Sequence, residues 1–276
     1  LLIGLTVVSL GTSTPEILVA IAAAIDGNAL MAIGNAIGSN IANIGLVLGL
    51  TAMVAPLPFS KGVLRRELPW LLLATFVTMV LMFDLELSRI DGLILFGGLA
   101  YILYRLARQG GGNPDALPEE MEEELQELPQ LGPRQAWFWL GVGLVVMLAS
   151  AQLLVWAATE IALWLGVSQL IIGLTVIAVG TSLPELATTL GAAIKGQNEI
   201  AIGNVVGSNI LNLLAVLAVP ALISAPRFDN VAFWRDAGMM LALTLALALF
   251  AYAIGSRPVI TRFEGAVILC GWIGYN

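Results

Sequence analysis

The chain alternates between long apolar runs and short polar breaks. Each break carries Gly, Pro or charged residues, which are typical of turns between helices. Most of the runs have the length of about 20 residues that a helix needs to cross the hydrocarbon core of a bilayer, and only the last is short. The pattern therefore predicts membrane-spanning helices. The predicted segments are residues 1–25, 29–55, 68–87, 90–107, 137–165, 168–194, 199–223, 231–254 and 260–275.

Composition strengthens this prediction. Hydrophobic residues make up 59% of the 276 residues, charged residues make up 11%, and the mean hydropathy is +0.93. A soluble domain is about half apolar and a quarter charged. We therefore expect an all-α membrane protein whose partner is the lipid bilayer, with no nucleic-acid partner. The sequence has one cysteine, Cys270, and no histidine, which excludes an internal disulfide and Cys/His metal clusters.

One long polar stretch, residues 109–136, interrupts the apolar pattern. It contains seven acidic residues and one base, so it carries most of the net charge of −7. It lacks the D-x-[DN]-x-[DN]-G pattern of an EF-hand, and blocks of like charge are usually solvated. We expect an acidic linker, with a short amphipathic helix possible around residues 118–128.

The strongest feature of the sequence is an internal repeat. The hexapeptide GTSTPE (11–16) returns as GTSLPE (180–185), and AIGNAIGSNIAN (32–43) returns as AIGNVVGSNILN (201–212), both at an offset of 169 residues. Weaker matches follow, such as Arg66-Glu67 with Arg235-Asp236 at the same offset and SRIDG with TRFEG at 173. The chain is therefore a duplicated membrane unit.

The two units differ at their beginnings. The second unit has an extra apolar segment, 137–165, ahead of its repeat, whereas only three residues precede Gly4 in the first unit. We therefore expect one further helix before Leu1, and ten helices in the intact protein. Five helices per unit would place the two units in opposite orientations, as in the inverted repeats of secondary transporters. The predicted organisation is 1–108 (helices 2–5), 109–136 (a cytoplasmic linker) and 137–276 (helices 6–10).

Lys and Arg in the short loops predict the orientation. Basic residues concentrate in the breaks at 55–68 and 254–262, at 194–199 and beside the linker. Simple alternation of spanning helices puts these breaks on one side, which the positive-inside rule makes the cytoplasm. The breaks near residues 26, 84–91 and 227–229 then face the opposite side.

The repeated hexapeptide brings costly groups into apolar surroundings. A proline within a helix has no N–H, so Pro15 and Pro184 leave the carbonyls of Gly11 and Gly180 without their usual donors. Each hexapeptide also carries a Thr and a Glu four residues apart, which lie on one helix face. Hydroxyl, carboxylate and carbonyl oxygens suit Na⁺ or Ca²⁺, and two carboxylates around one dication carry no net charge. A packing role for the kinks, with a protonated structural glutamate, is the alternative.

The segments after each hexapeptide carry a polar stripe. Asn35, Ser39 and Asn43 recur at every fourth position, and so do their partners Asn204, Ser208 and Asn212 in the second unit. Small glycines beside them permit close helix approach. For Asn35, Asn40, Asn204 and Asn209, interhelical bonding and ion binding are equally plausible. For Asn43 and Asn212, we predict a role as ligands.

These paired motifs resemble the two alpha-repeats of the sodium/calcium exchanger family, within the cation/calcium antiporter superfamily, and most of all its compact prokaryotic members. GTS-x-PE followed by GN-x-x-GSN-x-x-N, occurring twice, carries the resemblance. It implies a ten-helix fold whose second, third, seventh and eighth helices hold the ions, while the first and sixth slide to alternate access. It also implies an integral protein of a prokaryotic inner membrane.

The resemblance assigns roles at the site. Glu16 and Glu185 would bind both Ca²⁺ and Na⁺, the neighbouring Thr and Ser would supply hydroxyls or carbonyls, and two serines of the stripes would serve Na⁺. The position of Asn212 is an aspartate in some members of the family, so this site keeps a charge of −2. The predicted ligands are Thr12, Ser13, Glu16, Ser39, Asn43, Thr181, Ser182, Glu185, Ser208 and Asn212.

The function that the resemblance implies is antiport of Ca²⁺ against Na⁺ by alternating access, with these ions as substrates and no cofactor or obligate protein partner. A proton/Ca²⁺ exchanger, a cation channel and a non-transporting scaffold are the alternatives. We do not expect an enzyme, because no nucleophile–base arrangement is present.

The remaining membrane-region acids receive simpler interpretations. Asp91 and Glu264 are predicted to mark helix starts and to pair with nearby arginines. Asp26, Glu199 and Asp236 should lie at helix ends. Glu160 is predicted to be a solvated or interfacial carboxylate on helix 137–165, with a place along the outer ion path as the alternative.

Overall fold

The computed structural model describes residues 9–27, 29–110, 132–164, 166, 178–228, 230, 233–252 and 258–276. The residues outside this description include 1–8 of the first predicted segment, most of the predicted linker 109–136, residues 168–177 of segment 168–194, Asp229 and Arg257. The α-helices are α1 Ser9–Thr12, α2 Thr14–Ile25, α3 Ala29–Ala42, α4 Gly49–Val54, α5 Leu68–Leu81, α6 Arg89–Gly110, α7 Pro133–Trp164, α8 Ala178–Thr181, α9 Leu183–Ile194, α10 Asn198–Leu211, α11 Ala218–Ser224, α12 Gly238–Tyr252 and α13 Arg262–Tyr275. They follow the predicted apolar segments.

The two hexapeptides interrupt their helices. Helix α1 ends one residue before Ser13 and α2 begins one residue after it, with Pro15 in the first turn of α2. The same break occurs at Ser182, between α8 and α9. Proline is tolerated in a first turn because the N–H it lacks would have no partner there. The breaks place Glu16 and Glu185 in the first turns of α2 and α9, where the positive end of the helix dipole favours a carboxylate.

Among the described residues, four π-helical stretches occur as two matching pairs. The first pair, Asn43–Leu48 and Asn212–Val216, begins 169 residues apart, and the second pair, Val63–Glu67 and Phe233–Ala237, begins 170 apart. Such stretches are rare and are frequent at functional sites. The sequence pattern does not predict them. They continue directly into α-helices, so the spans 29–54 and 198–224 are uninterrupted.

Two contacts between loops define the ends of the molecule. Strand β1, Leu57–Pro58, pairs antiparallel with β2, Val259–Ile260, and we call this the strand end. Beyond the far end of α5, Glu86 forms an isolated β-bridge and an ion pair of 2.7 Å with Arg227. We call this part of the molecule the bridge end. These contacts join loops that the charge pattern assigns to the same side.

Helices α3 and α10, with their π-helical continuations, form the core. Among the described residues, three spans are long and apolar enough to cross a membrane: Ala29–Val54, Asn198–Ser224 and Phe233–Tyr252. The first two are mostly buried by the surrounding helices, whereas the third exposes more of its surface. Helix α7 carries exposed tryptophans toward both ends, which is typical of side chains at the two membrane interfaces.

The predicted helix starts at Asp91 and Glu264 are confirmed, but not the pairing with arginines. Glu264 accepts from the Thr261 backbone N–H at 2.7 Å, and Thr261 accepts in return, which is a capping box. Ser88 and Asp91 exchange the same bonds at the start of α6. Arg262 instead donates to the carbonyl of Val54.

Candidate ion-binding site

All ten predicted ligands are buried, and they lie where α1–α2, α3, α8–α9 and α10 meet. Nine of them are at most 1% exposed, and Thr181 is 7% exposed. The helix breaks place the hydroxyls and carboxylates of the hexapeptides against the polar stripes of α3 and α10. The sequence pattern therefore brings both halves of the chain to one place.

Glu185 is held by hydroxyl groups from both halves. Its Oε1 accepts a hydrogen bond of 3.1 Å from Ser13 Oγ, at the break between α1 and α2. It also accepts one of 3.4 Å from Ser208 Oγ on α10. The second oxygen, Oε2, is buried without a hydrogen-bond partner. The carboxylate is thus fixed on one side and open on the other.

Glu16 has no such support. Both of its carboxylate oxygens are buried without a hydrogen-bond partner. Ser13, which donates to Glu185, lies only three residues before Glu16, so the two acidic residues approach the same place from the two halves. The two ion pairs between side chains of the described residues involve other acids, Glu86 and Asp236. Within that part of the chain, nothing balances the charge of this pair.

Two equivalent hydrogen bonds cross between the halves. Thr12 Oγ1 donates to Asn204 Oδ1 at 3.4 Å, and Thr181 Oγ1 donates to Asn35 Oδ1 at 3.5 Å. Both residues of the first pair correspond to those of the second at the repeat offset. The Asn35 amide also donates to the backbone carbonyl of Glu16. Asn35 and Asn204 therefore make the interhelical bonds that one of the two interpretations expected.

The asparagines further along the stripes behave differently. Asn43 Nδ2 donates to Asn209 Oδ1 at 3.0 Å, and Asn209 Nδ2 donates to the carbonyl of Asn40 at 3.4 Å. This chain fixes the Asn43 amide and leaves its Oδ1 buried without a donor. In Asn212, both amide atoms are buried without a partner. Each of these two residues begins a π-helical stretch.

The buried oxygens without a hydrogen-bond partner are all of kinds that bind hard cations. Buried polar atoms in proteins are normally hydrogen-bonded, so a group of unpartnered ones requires an explanation. Carboxylate, hydroxyl and amide oxygens are the ligands that hard cations prefer. The unpartnered oxygens of the predicted ligands are Glu16 Oε1 and Oε2, Glu185 Oε2, Ser39 Oγ, Ser182 Oγ, Asn43 Oδ1 and Asn212 Oδ1.

Two residues of the site were not predicted. Thr189 Oγ1 accepts a hydrogen bond of 3.1 Å from Asn204 Nδ2, and Ser9 Oγ donates to the Asn204 carbonyl at 3.1 Å. Thr189 lies four residues after Glu185, and therefore on the same helix face, so spacing could have revealed it. The repeat concealed it, because the equivalent position in the first half is Ala20.

An apolar helical core that encloses two carboxylates and a shell of neutral oxygens defines an integral membrane protein of ion transport. Comparison with known proteins identifies the family. The chain matches the sodium/calcium exchanger protein family over residues 1–108 and 135–276. It belongs to this family of cation/Ca²⁺ antiporters, which are transporters and not enzymes, and the resemblance seen in the motifs is confirmed.

Similar proteins cover nearly the whole chain. The putative antiporter CaxA of Alkalimonas amylolytica is 43% identical over 100% of this chain and 86% of its own length. The inner membrane protein YrbG of Escherichia coli is 42% identical over 99% of this chain and 84% of its own. The sodium/calcium exchanger MaX1 of Methanosarcina acetivorans is 30% identical over 99% and 87%.

A solved structure of an exchanger has a similar fold. The sodium-calcium exchanger NCX_Mj, soaked with 2.5 mM Na⁺ and 0.1 mM Sr²⁺, superposes with a TM-score of 0.81 at 34% identity. The match covers 98% of this chain and 84% of that one. The predicted all-α membrane fold is therefore confirmed at the level of the family's architecture.

Proposed function

We propose that this protein exchanges Ca²⁺ for Na⁺ across the membrane and that both ions bind between Glu16 and Glu185. The observation that carries the proposal is the set of buried, unpartnered oxygens around these carboxylates. A buried carboxylate costs several kcal/mol unless its charge is balanced. A cation between the two side chains would balance both. The relatives named as sodium/calcium exchangers support this choice of ions.

The ligands we propose are the ten predicted residues. Glu16 and Glu185 supply the charge of −2, which matches one Ca²⁺. The amides of Asn43 and Asn212 supply neutral oxygens and add no titratable group. An empty site with two unbalanced carboxylates is unfavourable in apolar surroundings. The protein would therefore change its orientation mainly when it is loaded, which makes transport an obligatory exchange.

We further propose that the two halves are inverted repeats. The matching π-helical pairs and the reciprocal bonds Thr12–Asn204 and Thr181–Asn35 support this arrangement. The contact between Asn209 and Asn40, which are equivalent at the repeat offset, fits a two-fold axis nearby. The helix expected before Leu1 and the domain limits 1–108, 109–136 and 137–276 stay predictions.

The strand end is proposed to face the cytoplasm. Lys61, Arg65, Arg66 and Arg262 lie in or beside its loops, and the positive-inside rule assigns such loops to the inner side. Inward flow of Na⁺ would then drive Ca²⁺ out through the bridge end. If more than two Na⁺ replaced one Ca²⁺, each cycle would move net charge.

Flux measurements test the proposal. The purified full-length protein is reconstituted into proteoliposomes loaded with Na⁺, and uptake of ⁴⁵Ca²⁺ from Na⁺-free medium is followed. The proposal predicts Ca²⁺ accumulation above the external concentration that disappears when Na⁺ is equal on both sides. Accumulation driven by a proton gradient without Na⁺ would instead identify a proton/Ca²⁺ exchanger. Flux that only dissipates a Ca²⁺ gradient would identify a channel.

A further inference from the structure

Glu67 is a second glutamate that the protein buries without an ion pair to any of the described side chains. It ends the π-helical stretch before α5, it is 2% exposed, and neither of its oxygens has a hydrogen-bond partner. Its neighbours Arg65 and Arg66 are exposed, and neither forms an ion pair with it. The sequence motifs assign it no role. A charged group in this position requires a counterion, as it does at the central site.

The carboxylate of Glu67 is directed at helix α10, which also lines the central site. A Cβ atom added to Gly203 would lie 3.6 Å from Glu67 Oε2. The next residue, Asn204, makes the bonds to Thr12 and Thr189 described above. Glu67 therefore lies one residue along α10 from the central network, on the side of the strand end.

A second acidic residue shares this face of α10. Glu199 precedes Gly203 by four residues, so the two positions lie one helical turn apart on one face. Glu199 is half-buried and lies one helical turn from the position on α10 that Glu67 approaches. The two acidic residues therefore lie along α10 between its N-terminal end and Asn204. Glu67 is buried, and Glu199 is partly accessible to solvent.

The equivalent place in the other half has a different charge balance. Asp236, the repeat equivalent of Glu67, forms an ion pair of 2.6 Å with Arg235 and accepts a 2.7 Å hydrogen bond from Tyr275. The equivalent of Glu199 is Leu30. One end of the core thus carries a single compensated acid, and the other carries two acids without a basic partner among the described residues.

We propose that Glu67 and Glu199 form a Ca²⁺-accepting site at the strand end, which receives the ion before it reaches Glu16 and Glu185. This inference rests on the proposed Ca²⁺/Na⁺ exchange. A pair of uncompensated carboxylates raises the local concentration of a dication, by about tenfold or more in a low-dielectric surround. An exporter uses such a site only on the side from which it collects Ca²⁺, which explains why Asp236 and Leu30 do not reproduce it.

The test compares Ca²⁺ affinity at the two faces of the full-length protein. Na⁺-loaded everted vesicles present the cytoplasmic face, and Na⁺-loaded right-side-out vesicles present the other, and KM for ⁴⁵Ca²⁺ is measured in each. Glu67→Gln and Glu199→Gln should each raise KM about three- to tenfold at the cytoplasmic face and leave KM at the other face within about twofold. Glu67→Asp should preserve most of the affinity. Asp236→Asn is the matched control, and it should leave KM at the cytoplasmic face unchanged.

Three results would overturn the inference. The first is an unchanged KM at the cytoplasmic face. The second is an equal rise in KM at both faces together with a lower Tm, which would indicate a structural role for Glu67. The third is a rise in KM confined to the opposite face. Should Glu67→Gln fail to insert, Glu199→Gln decides alone, because it lies in an accessible first turn. Wild-type vesicles separate this inference from the proposed function, since a wild type without Na⁺-driven uptake refutes the exchange itself.

Discussion

Ser13 Oγ donates a hydrogen bond of 3.1 Å to Glu185 Oε1 across 172 residues of sequence. The equivalent pair in the other direction, Ser182 and Glu16, makes no such bond, because Ser182 Oγ and both oxygens of Glu16 have no partner. The halves share a motif but use it differently. Glu185 is oriented by the protein, whereas Glu16 has only a cation to bind in the proposed mechanism.

Removal of either central charge should therefore abolish transport. Glu16→Gln and Glu185→Gln each halve the charge of the proposed site while keeping its shape. Loss of one charged partner from a buried set costs about 3–5 kcal/mol, so we expect ⁴⁵Ca²⁺ affinity to fall by at least about 100-fold. Equilibrium binding and flux on the purified variants provide the measurement.

Glu160→Gln is the control for these variants, because Glu160 is an exposed glutamate on α7. It should bind and transport Ca²⁺ like the wild type. Wild-type Ca²⁺ binding by either Glu16→Gln or Glu185→Gln would remove these carboxylates from the site and would favour the scaffold interpretation.

Asn209 should support the site without touching the ion. Its Oδ1 accepts from Asn43 Nδ2, which turns the open Oδ1 of Asn43 inward. Loss of such a positioning bond typically lowers metal affinity about 10-fold or more. Asn209→Ala should therefore weaken Ca²⁺ binding about tenfold, and in an Asn43→Ala background it should add little. Fully additive losses would show that the two side chains act independently.

Helix α13 packs closely on α4 through a glycine. A Cβ atom at Gly265 would lie 2.8 Å from the Gly49 carbonyl oxygen and 2.8 Å from Ala52 Cβ. Gly265→Ala should therefore lower stability by about 1–3 kcal/mol through overpacking, read as a lower Tm in detergent. Gly274→Ala, on the same helix with nothing within 4 Å, is the control. Equal Tm values for the two variants would contradict this packing.

The capping box of α13 should stabilise the protein without affecting transport. Thr261 and Glu264 exchange hydrogen bonds that satisfy two free N–H groups at the helix start. Thr261→Ala should lower the free energy of unfolding by about 1 kcal/mol, while KM for Ca²⁺ stays unchanged. A changed KM with an unchanged Tm would indicate that this helix start participates in transport.

The burial of the predicted ligands could be inferred from the sequence, but the local geometry of the helices that carry them could not. The burial of Glu16 and Glu185, and their convergence from the two halves, follow from a repeated polar motif in apolar surroundings. The π-helical starts at Asn43 and Asn212 could not be foreseen. They depend on the packing of neighbouring helices, and the apolar pattern of the sequence does not change there.

Residues without a repeat partner were also missed. The repeat drew attention to positions that recur, so Thr189, whose counterpart is Ala20, received none. The burial of Glu67 was missed for a related reason. Its counterpart Asp236 lies beside Arg235 in sequence and in space, but Arg66 is exposed and forms no ion pair with Glu67. The direction in which a side chain leaves a helix depends on tertiary packing, which a sequence match does not record.

Direct observation of a bound dication is the most decisive measurement. Crystals of the full-length protein would be soaked in Sr²⁺, and its anomalous signal located. We predict a peak between Glu16 and Glu185, about 2.5 Å from an oxygen of each carboxylate, that disappears when Na⁺ replaces Sr²⁺. A fully occupied peak elsewhere in the membrane region, with none between these two carboxylates, would contradict the proposed mechanism.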